Sequence, residues 1–181
     1  NPFKATLQQR ILSNIIESST SVNYLSGDVT TLAAAHSTAW GVAITHDDST
    51  ALVGDHIFIR SIDTSTGNAT ILAGGGGGGG SGAQGYVDGE GVLARFRNAC
   101  GIAITPDGIT ALVADANNHV IRSIEISTGI VTTLAGSSRG YADGEGTSAM
   151  FRDPFDVAIT PDGITALVAD VNNNKIRSIE I

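Results

Sequence analysis

The sequence predicts an all-β protein built from repeated antiparallel units of four short strands. The twelve residues ITPDGITALVAD occur twice without change, at residues 104–115 and 159–170, and a diverged copy, ITHDDSTALVGD, occupies residues 44–55. Around each copy, β-rich runs alternate with turn residues. A catalytic motif is usually written once in a chain, whereas a unit that packs on its own copies is written many times. The repetition therefore favours a repeat architecture.

Each unit reads as four strands separated by three turns. In the second unit, GIAIT ends at residues 106–108, Pro-Asp-Gly, where proline presets φ and glycine accepts a positive φ. The apolar run ITALVAD predicts a strand buried on both faces, and the asparagines at residues 117–118 predict a turn with a left-handed residue. HVIRSIEI mixes polar and apolar positions, so we expect a strand nearer the surface. Residues 127–129, Ser-Thr-Gly, predict the third turn, and the β-branched run IVTTLAG predicts the fourth strand.

Four antiparallel strands every roughly 40–60 residues are typical of one blade of a β-propeller. The second and third units align at a constant offset of 55 residues, over residues 85–126 and 140–181. Both begin with a glycine-rich GYxDGEG segment, which the first unit, residues 40–67, lacks. Residues 22–32 match the end of the second unit and are interpreted as the remnant of an earlier blade.

The combined pattern FRxPxxVAITPDGxxxLVADxxNNxIRSIxxxTGxVTTLAG resembles that of the NHL-repeat β-propellers. The resemblance covers about residues 21–181, and the first copy departs most, since His46-Asp47-Asp48 replaces Pro-Asp-Gly. Closed propellers have roughly four to eight blades, and the resemblance implies about six. The pattern is carried by residues 151–154, 157–162, 167–170, 172–173 and 176–179, with the TTLAG end at residues 132–136.

The resemblance implies a propeller segment of about three four-stranded blades in an incomplete ring. The ring would belong to a larger six-bladed propeller or be completed by other chains, for example by residues 22–32 of a partner copy. The expected parts are an N-terminal extension (residues 1–20), a partial blade with the last two strands (21–34), blade one (35–73), a glycine-rich insertion loop (74–91), blade two (92–135), a GYADGEG loop (136–149) and blade three without its last strand (150–181).

Two segments lie outside the repeat. Residues 3–19 place apolar side chains at helical spacing, which predicts a short N-terminal helix, with a strand remnant as the alternative. Seven consecutive glycines at residues 74–80 predict a surface loop, since no Lys-Ser/Thr follows as in a phosphate-binding loop. The chain begins at Asn1 and stops within a repeat, so we expect it to derive from something longer.

The composition permits a buried core and disfavours several classes of partner. Of the 181 residues, 41% are hydrophobic and 15% charged, and the formal net charge is -8. Because phosphate binding needs clustered Lys and Arg, no nucleic-acid partner is predicted. No apolar run approaches the roughly 18 residues of a membrane helix, so no membrane insertion is predicted. Cys100 is the single cysteine, which excludes a disulfide within the chain and a cysteine-based zinc site.

Acidic pairs in the two GYxDGEG segments are candidate calcium ligands, because Ca²⁺ takes oxygen ligands from flexible loops. The structural alternative is that the aspartate caps the turn and the glutamate pairs with Arg97 or Arg152 nearby. Calcium loops carry more oxygens at tighter spacing, so the structural alternative is favoured and no cofactor is predicted. The pairs are Asp88 with Glu90 and Asp143 with Glu145.

An aspartate closes the strand ALVAD or ALVGD in every unit, and an arginine follows five or seven residues later. The aspartate can accept N–H bonds from the turn that follows it, and the arginine can bridge to a neighbouring blade. Because the pair recurs in every unit, we expect a structural role, and the Phe-Arg motif that opens blades two and three is interpreted in the same way. The residues are Asp55, Asp115 and Asp170, Arg60, Arg122 and Arg177, Phe96 and Phe151, and Arg97 and Arg152.

No catalytic motif is evident in the sequence, so no enzyme activity is predicted. The four histidines share no metal-ligand spacing, no GxSxG nucleophile motif is present, and Cys100 aligns with an apolar position and reads as a buried hydrophobe. His119 occupies the usual histidine position of the family motif and is interpreted as structural. Two alternatives remain open: a metal-dependent propeller enzyme of the lyase or hydrolase type, and an RNA-binding propeller, which the acidic charge disfavours.

The sequence thus favours a structural or protein-interaction module. Aromatic residues make up only 5% of the chain, which argues against a large peptide- or sugar-binding surface. Open blade edges are templates for another strand, so the expected partners are other proteins or copies of the chain, in a scaffold, an oligomer or a filament. Asn68 begins a glycosylation sequon on a predicted turn, which favours a larger extracellular or cell-surface glycoprotein.

Overall fold

A computed structural model describes residues 29–33, 38–76 and 84–181. The chain divides into two units, Asn1–Thr31 and Leu32–Ile181. In the first unit only residues 29–31 are described, and they adopt no regular secondary structure. The predicted N-terminal helix, most of the partial blade at residues 21–34, and residues 77–83 of the glycine-rich insertion lie outside the described residues.

The described part of the second unit consists of three antiparallel sheets. The first is blade one, in the order β1-β2-β3-β4, with β1 Ala39–Ile44, β2 Thr50–Asp55, β3 Phe58–Asp63 and β4 Ala69–Gly74. The second is blade two, in the order β5-β9-β8-β7-β6, with β5 Gly89–Glu90, β6 Ala99–Ile104, β7 Thr110–Asp115, β8 Val120–Glu125 and β9 Ile130–Ala135. The third is blade three, with β10 Pro154–Ile159, β11 Thr165–Asp170 and β12 Lys175–Glu180.

These sheets confirm the prediction of an all-β propeller segment with about three blades. The short strand β5 lies within the segment predicted to be a loop, and it adds a fifth strand to blade two by pairing with β9. Within the described residues, blade three has three strands. No helix among the described residues is long and apolar enough to cross a membrane.

The blades pack face to face, and β7 shows how the sequence encodes this. Val113 belongs to the core cluster between blades one and two, whereas Leu112 belongs to the cluster between blades two and three. Successive side chains of a strand point to opposite faces, so a strand between two other sheets is apolar at consecutive positions. The prediction that ITALVAD is buried on both faces is confirmed for residues 111–115, which are all buried, but Ile109 at its start is 58% exposed.

The expectation that the third strand lies nearer the surface is wrong for blade two. Val120, Ile121 and Ile124 in β8 have no exposed surface. The pattern misled because the polar residue among them, Arg122, is itself fully buried. Strand β8 lies between β7 and β9 and contributes side chains to both core clusters.

The turns follow the predicted chemistry in part. Gly108 in the first turn of blade two has a φ of 74°, and its counterpart in blade one, Asp48, has a φ of 58°. The second turn of blade two is a short 3₁₀ helix, Ala116–Asn118, and its left-handed residue is His119 rather than an asparagine. In blade three the equivalent left-handed residue is an asparagine, Asn174.

The innermost strands of the three blades approach each other closely. Strand β1 packs against β6, and β6 packs against β10. A Cβ atom built on Gly101 of β6 would lie 2.5 Å from the Cα atom of Asp156 in β10, and one on Gly41 of β1 would lie 2.5 Å from the carbonyl oxygen of Cys100. Glycine is therefore required here by the distance between neighbouring blades.

Candidate functional site

The repeated aspartate at the end of each second strand anchors a buried network, best seen in blade two. Asp115 has no exposed surface. Its Oδ1 accepts the backbone N–H of Arg97 at 2.8 Å. Its Oδ2 accepts the side-chain amide of Asn118 at 2.8 Å and Nη1 of Arg122 at 3.1 Å. We expected this aspartate to accept a backbone N–H from the turn that follows it. It accepts instead the side-chain amide of Asn118 in that turn and the backbone N–H of Arg97 in the loop before β6.

Arg122 joins this aspartate to the GYxDGEG segment. Its Nη2 donates to Oδ1 of Asp88 at 2.6 Å and to the carbonyl oxygen of Val87 at 2.9 Å. Its Nη1 also donates to the carbonyl oxygen of Arg95 at 3.1 Å. The arginine therefore binds the loop that connects blade one to blade two, rather than a strand of the neighbouring blade as the sequence had led us to expect.

Aromatic rings flank the same guanidinium. Its Cζ lies 5.0 Å from the ring centroid of Phe96 and 5.3 Å from that of Tyr86. These distances permit cation–π contacts, which are stronger where the cation is removed from water. The Phe-Arg motif and the Gly-Tyr pair thus contribute a buried phenylalanine and a half-exposed tyrosine to a single site.

Blade three repeats this arrangement. Arg177 donates to Asp170 at 3.1 Å and to Asp143 of its own GYxDGEG segment. Its Cζ lies 5.2 Å from the ring centroid of Phe151 and 4.9 Å from that of Tyr141. Asp170 also accepts the backbone N–H of Arg152 at 2.7 Å.

Blade one has a reduced version. Nε of Arg60 donates to Asp55 at 2.6 Å, and its Cζ lies 5.1 Å from the ring centroid of Phe58. The arginine follows the aspartate by five residues instead of seven because the intervening turn is shorter, and it approaches the carboxylate through Nε. The sequence of blade one also has no GYxDGEG segment to supply a second carboxylate.

The predicted pairing of Glu90 with Arg97, and of Glu145 with Arg152, is not found among the contacts of the described residues. The carboxylates that pair with an arginine are instead Asp88 and Asp143, each two positions before its glutamate. They bind Arg122 and Arg177. Sequence proximity misled here, because these aspartates reach arginines that lie 34 residues further along the chain.

A groove of about 770 Å³ lies beside the last strand of blade three. One wall is β12, and the opposite wall is formed by Gly144, Glu145 and Gly146. In blade two, the corresponding position between β8 and the GYxDGEG segment is occupied by β9, which pairs with β8 on one side and with β5 on the other. The groove is therefore the place of a fourth strand.

Comparison with known proteins places this fold in a family. No model of a known protein family matches the chain. The protein SUPPRESSOR OF QUENCHING 1, chloroplastic, of Arabidopsis thaliana is 33% identical over 146 residues, which are 78% of this chain and 14% of that protein. NHL repeat-containing protein 2 of Homo sapiens is 29% identical over 126 residues, which are 68% of this chain and 17% of that protein. The chain carries NHL repeats.

A solved structure shares the fold of this chain. An auxiliary nutrient binding protein of Bacteroides ovatus superimposes with a TM-score of 0.64 at 24% identity, over 76% of this chain and 36% of that one. The chain spans 14% and 17% of the length of the two curated relatives. The similarity therefore covers only a small part of each of these relatives.

The NHL repeats hold no evident metal site in the part of the chain that the structure describes. Within residues 29–33, 38–76 and 84–181, no group of three or more His, Cys, Asp or Glu could hold a metal ion. The carboxylate of Asp88, a candidate calcium ligand, already accepts a hydrogen bond from Arg122. It also accepts hydrogen bonds from the backbone N–H and the hydroxyl of Thr133, each at 3.1 Å. His36 lies outside the described residues.

Two further groups of the NHL repeats could carry chemistry, the buried thiol of Cys100 and the partly buried imidazole of His119. The Cys100 thiol has no exposed surface, and its burial, assisted by the charges of Asp115 and Asp156, raises its pKa to about 11. The nucleophilic thiolate is therefore scarce near neutral pH. Nδ1 of His119 accepts the backbone N–H of Asp153 at 3.3 Å, which links the second turn of blade two to blade three.

Proposed function

We propose that the chain is a non-catalytic propeller module that binds other protein chains through the open side of blade three. The observation that carries this proposal is that equivalent residues differ in their exposed fraction between blades two and three. Leu112 and Ile121 of blade two are 2% and 0% exposed, because blade three covers them. Their counterparts Leu167 and Ile176 in blade three are 44% and 70% exposed.

The exposed pair has the chemistry of a packing surface. The same two residue types at the same two positions form the core between blades two and three, so the open face of blade three has the composition of a blade interface. Apolar side chains at core positions favour burial by about 25 cal/mol per Å² of apolar surface. An open sheet edge next to them adds unpaired backbone groups, which another chain can use.

The non-catalytic part of the proposal rests on how the polar groups are used. The aspartates and arginines with unusual burial are paired with each other in the same geometry in blades two and three. Blade one has a reduced form of the same pair. Recurrence in each blade is what a structural unit requires, whereas a catalytic site needs one. A chloroplastic protein is among the relatives, so an extracellular or cell-surface location rests on the sequon at Asn68 alone, whose residue is exposed.

The proposal is tested by light scattering on the 181-residue chain over a series of concentrations. We expect the mean mass to rise with concentration, and Ile176→Glu to return it to that of the monomer. Ile164→Glu is the matched control, since Ile164 is 53% exposed at a hairpin tip of the same blade. A wild-type chain that remains monomeric, or an equal effect of both substitutions, would contradict the proposal.

A mass measurement before and after deglycosylation of the chain from its native source tests the location. A loss of mass that Asn68→Gln abolishes is the expected result for a secreted chain. An unchanged mass removes the only support for an extracellular location.

A further inference from the structure

The innermost strand of each blade contains a β-bulge at the same position. The register between the first and second strands of the blade shifts there, in β1, β6 and β10. A bulge leaves a residue outside the ladder and changes the direction of its side chain. These side chains are therefore not bound to the alternation that packs one blade on the next. The equivalent residues at the bulges are Trp40 in blade one, Cys100 in blade two and Phe155 in blade three.

The rings of Trp40 and Phe155 are in contact although their blades are not neighbours. The ring centroids lie 5.5 Å apart and the ring planes are inclined at 85°, which is an edge-to-face arrangement. Blade two lies between them, since β1 packs against β6 and β6 packs against β10. In repeat architectures a unit normally contacts its immediate neighbours only. This ring pair therefore spans blade two.

The backbone of blade two is held between the segments that carry the two rings. A Cβ atom built on Gly41, which follows Trp40, would lie 2.5 Å from the carbonyl oxygen of Cys100. A Cβ atom built on Gly101 would lie 2.9 Å from the carbonyl oxygen of Phe155. The middle bulge position has a short side chain, which leaves room for the two outer rings to meet.

The burial of Cys100 is not explained by the two cores between the blades. Cys100 has no exposed surface, yet it belongs to neither of the two core clusters of buried apolar residues. Side chains outside those clusters must therefore cover it. Trp40 and Phe155 are the large side chains at the equivalent positions on either side, and the backbone next to each of them approaches residues 100 and 101 closely.

We propose that Trp40 and Phe155 form an aromatic latch across blade two, which covers Cys100 when the rings are in contact and exposes it when they separate. The latch joins blade one to blade three, so a movement of either outer blade relative to blade two separates the rings. Access to Cys100 is thereby coupled to the arrangement of all three blades. This inference is independent of the partner proposed above, because it concerns contacts within one chain.

The rate at which a small thiol reagent modifies Cys100 in the native chain, at fixed pH, measures how often the latch is open. Trp40 is the single tryptophan and Cys100 the single cysteine of the 181 residues, so each signal has one source. We expect Phe155→Ala to raise the rate about tenfold, since an aromatic pair shifts a local equilibrium by up to roughly one power of ten. The fluorescence emission of Trp40 should move to longer wavelength in the same variant. Phe155→Tyr keeps the ring and should leave both signals unchanged.

Val157→Ala is the matched control for a general loss of stability. Val157 lies two positions further along β10, is 4% exposed and belongs to the core between blades two and three. Its truncation therefore destabilises blade three without removing a ring. Modification through global unfolding accelerates steeply with urea, whereas a local opening exposes little surface and responds weakly. We expect the rate in Phe155→Ala to be nearly independent of urea at low concentrations. Equal acceleration in Val157→Ala, or a rate that follows global unfolding in both variants, would overturn the latch.

A double-substitution cycle tests whether the two rings act together, and it serves equally where alanine prevents folding. Trp40→Leu and Phe155→Leu each remove one ring and retain an apolar side chain. Because the latch requires both rings, we expect the double variant to be modified no faster than either single variant. Accelerations that multiply would show that each ring covers Cys100 by itself, and an unchanged rate in all three variants would show that neither does. Either result refutes the latch.

Discussion

The guanidinium of Arg122 donates to the carboxylate of Asp115 at 3.1 Å, and neither side chain has any exposed surface. The two residues lie in adjacent strands, seven positions apart in the sequence. Arg122 also binds Asp88 of the preceding loop, so this contact joins the strand end, the third strand and the loop between blades one and two. In blades two and three, the pair therefore holds the loop that precedes the blade.

We expect Asp115→Asn to destabilise the chain strongly. The substitution keeps the shape of the side chain but leaves Arg122 buried with a weakened set of partners, and removal of one partner of a buried ion pair costs about 3–5 kcal/mol. Urea unfolding measures the change. Asp143→Asn is the control at the exposed end of the same network in blade three, where the loss should be below about 1 kcal/mol. Equal losses of unfolding free energy in both variants would show that burial does not determine how much the ion pair stabilises the chain.

Gly101→Ala should separate blades two and three locally. The added Cβ would lie 2.5 Å from the Cα atom of Asp156, and backbone atoms at that distance must move. Overpacking of this kind costs about 1–3 kcal/mol. Gly89→Ala is the control, since its Cβ would meet its nearest neighbours at 3.5 Å. A neutral Gly101→Ala variant would show that the inner strands are not in close contact.

The stability of the chain should depend on pH through His119. Desolvation by burial lowers the pKa of this imidazole below its ordinary value of 6.5, although the charge of Asp153 acts in the opposite direction. Between the lowered pKa and 6.5 the unfolded chain binds more protons, so stability rises with pH and is lost as the pH falls below about 6.5.

His119→Asn isolates this contribution. Asparagine occupies the equivalent left-handed position in blade three, at Asn174, so the variant keeps the turn and loses the titrating group. We expect the difference in unfolding free energy between wild type and variant to change with pH in the range of about pH 5 to 7. A difference that is constant over this range would contradict the prediction.

Calcium should not stabilise the chain. Asp88 is held by Arg122 and Thr133, so a calcium ion would have to displace a buried guanidinium from its carboxylate. We expect the same Tm with calcium and with a chelator, for the wild type and for Glu90→Gln. A rise in Tm with calcium that Glu90→Gln abolishes would restore the GYxDGEG segment as a calcium site.

The sequence alone determined the strands, most of the turns and the burial of β7, because these depend on local patterns. Turn residues such as Gly108 set φ within a few bonds, and the apolar run of β7 reports that both of its faces are covered. The repeat itself predicted that the blades pack on each other, since equivalent positions meet equivalent neighbours. The same reasoning found the aspartate and the arginine that recur in each unit but could not assign their partners.

The tertiary structure alone decided which carboxylate each arginine meets. Asp88 and Arg122 are 34 positions apart, and their contact depends on how the GYxDGEG segment lies against β9. It also decided the burial of β8, which follows from the strands and blades around it rather than from its mixed sequence. The groove beside β12 belongs to the same class of feature. It is formed by two segments distant in the sequence, and a distance between such segments is fixed by packing, not by local propensity.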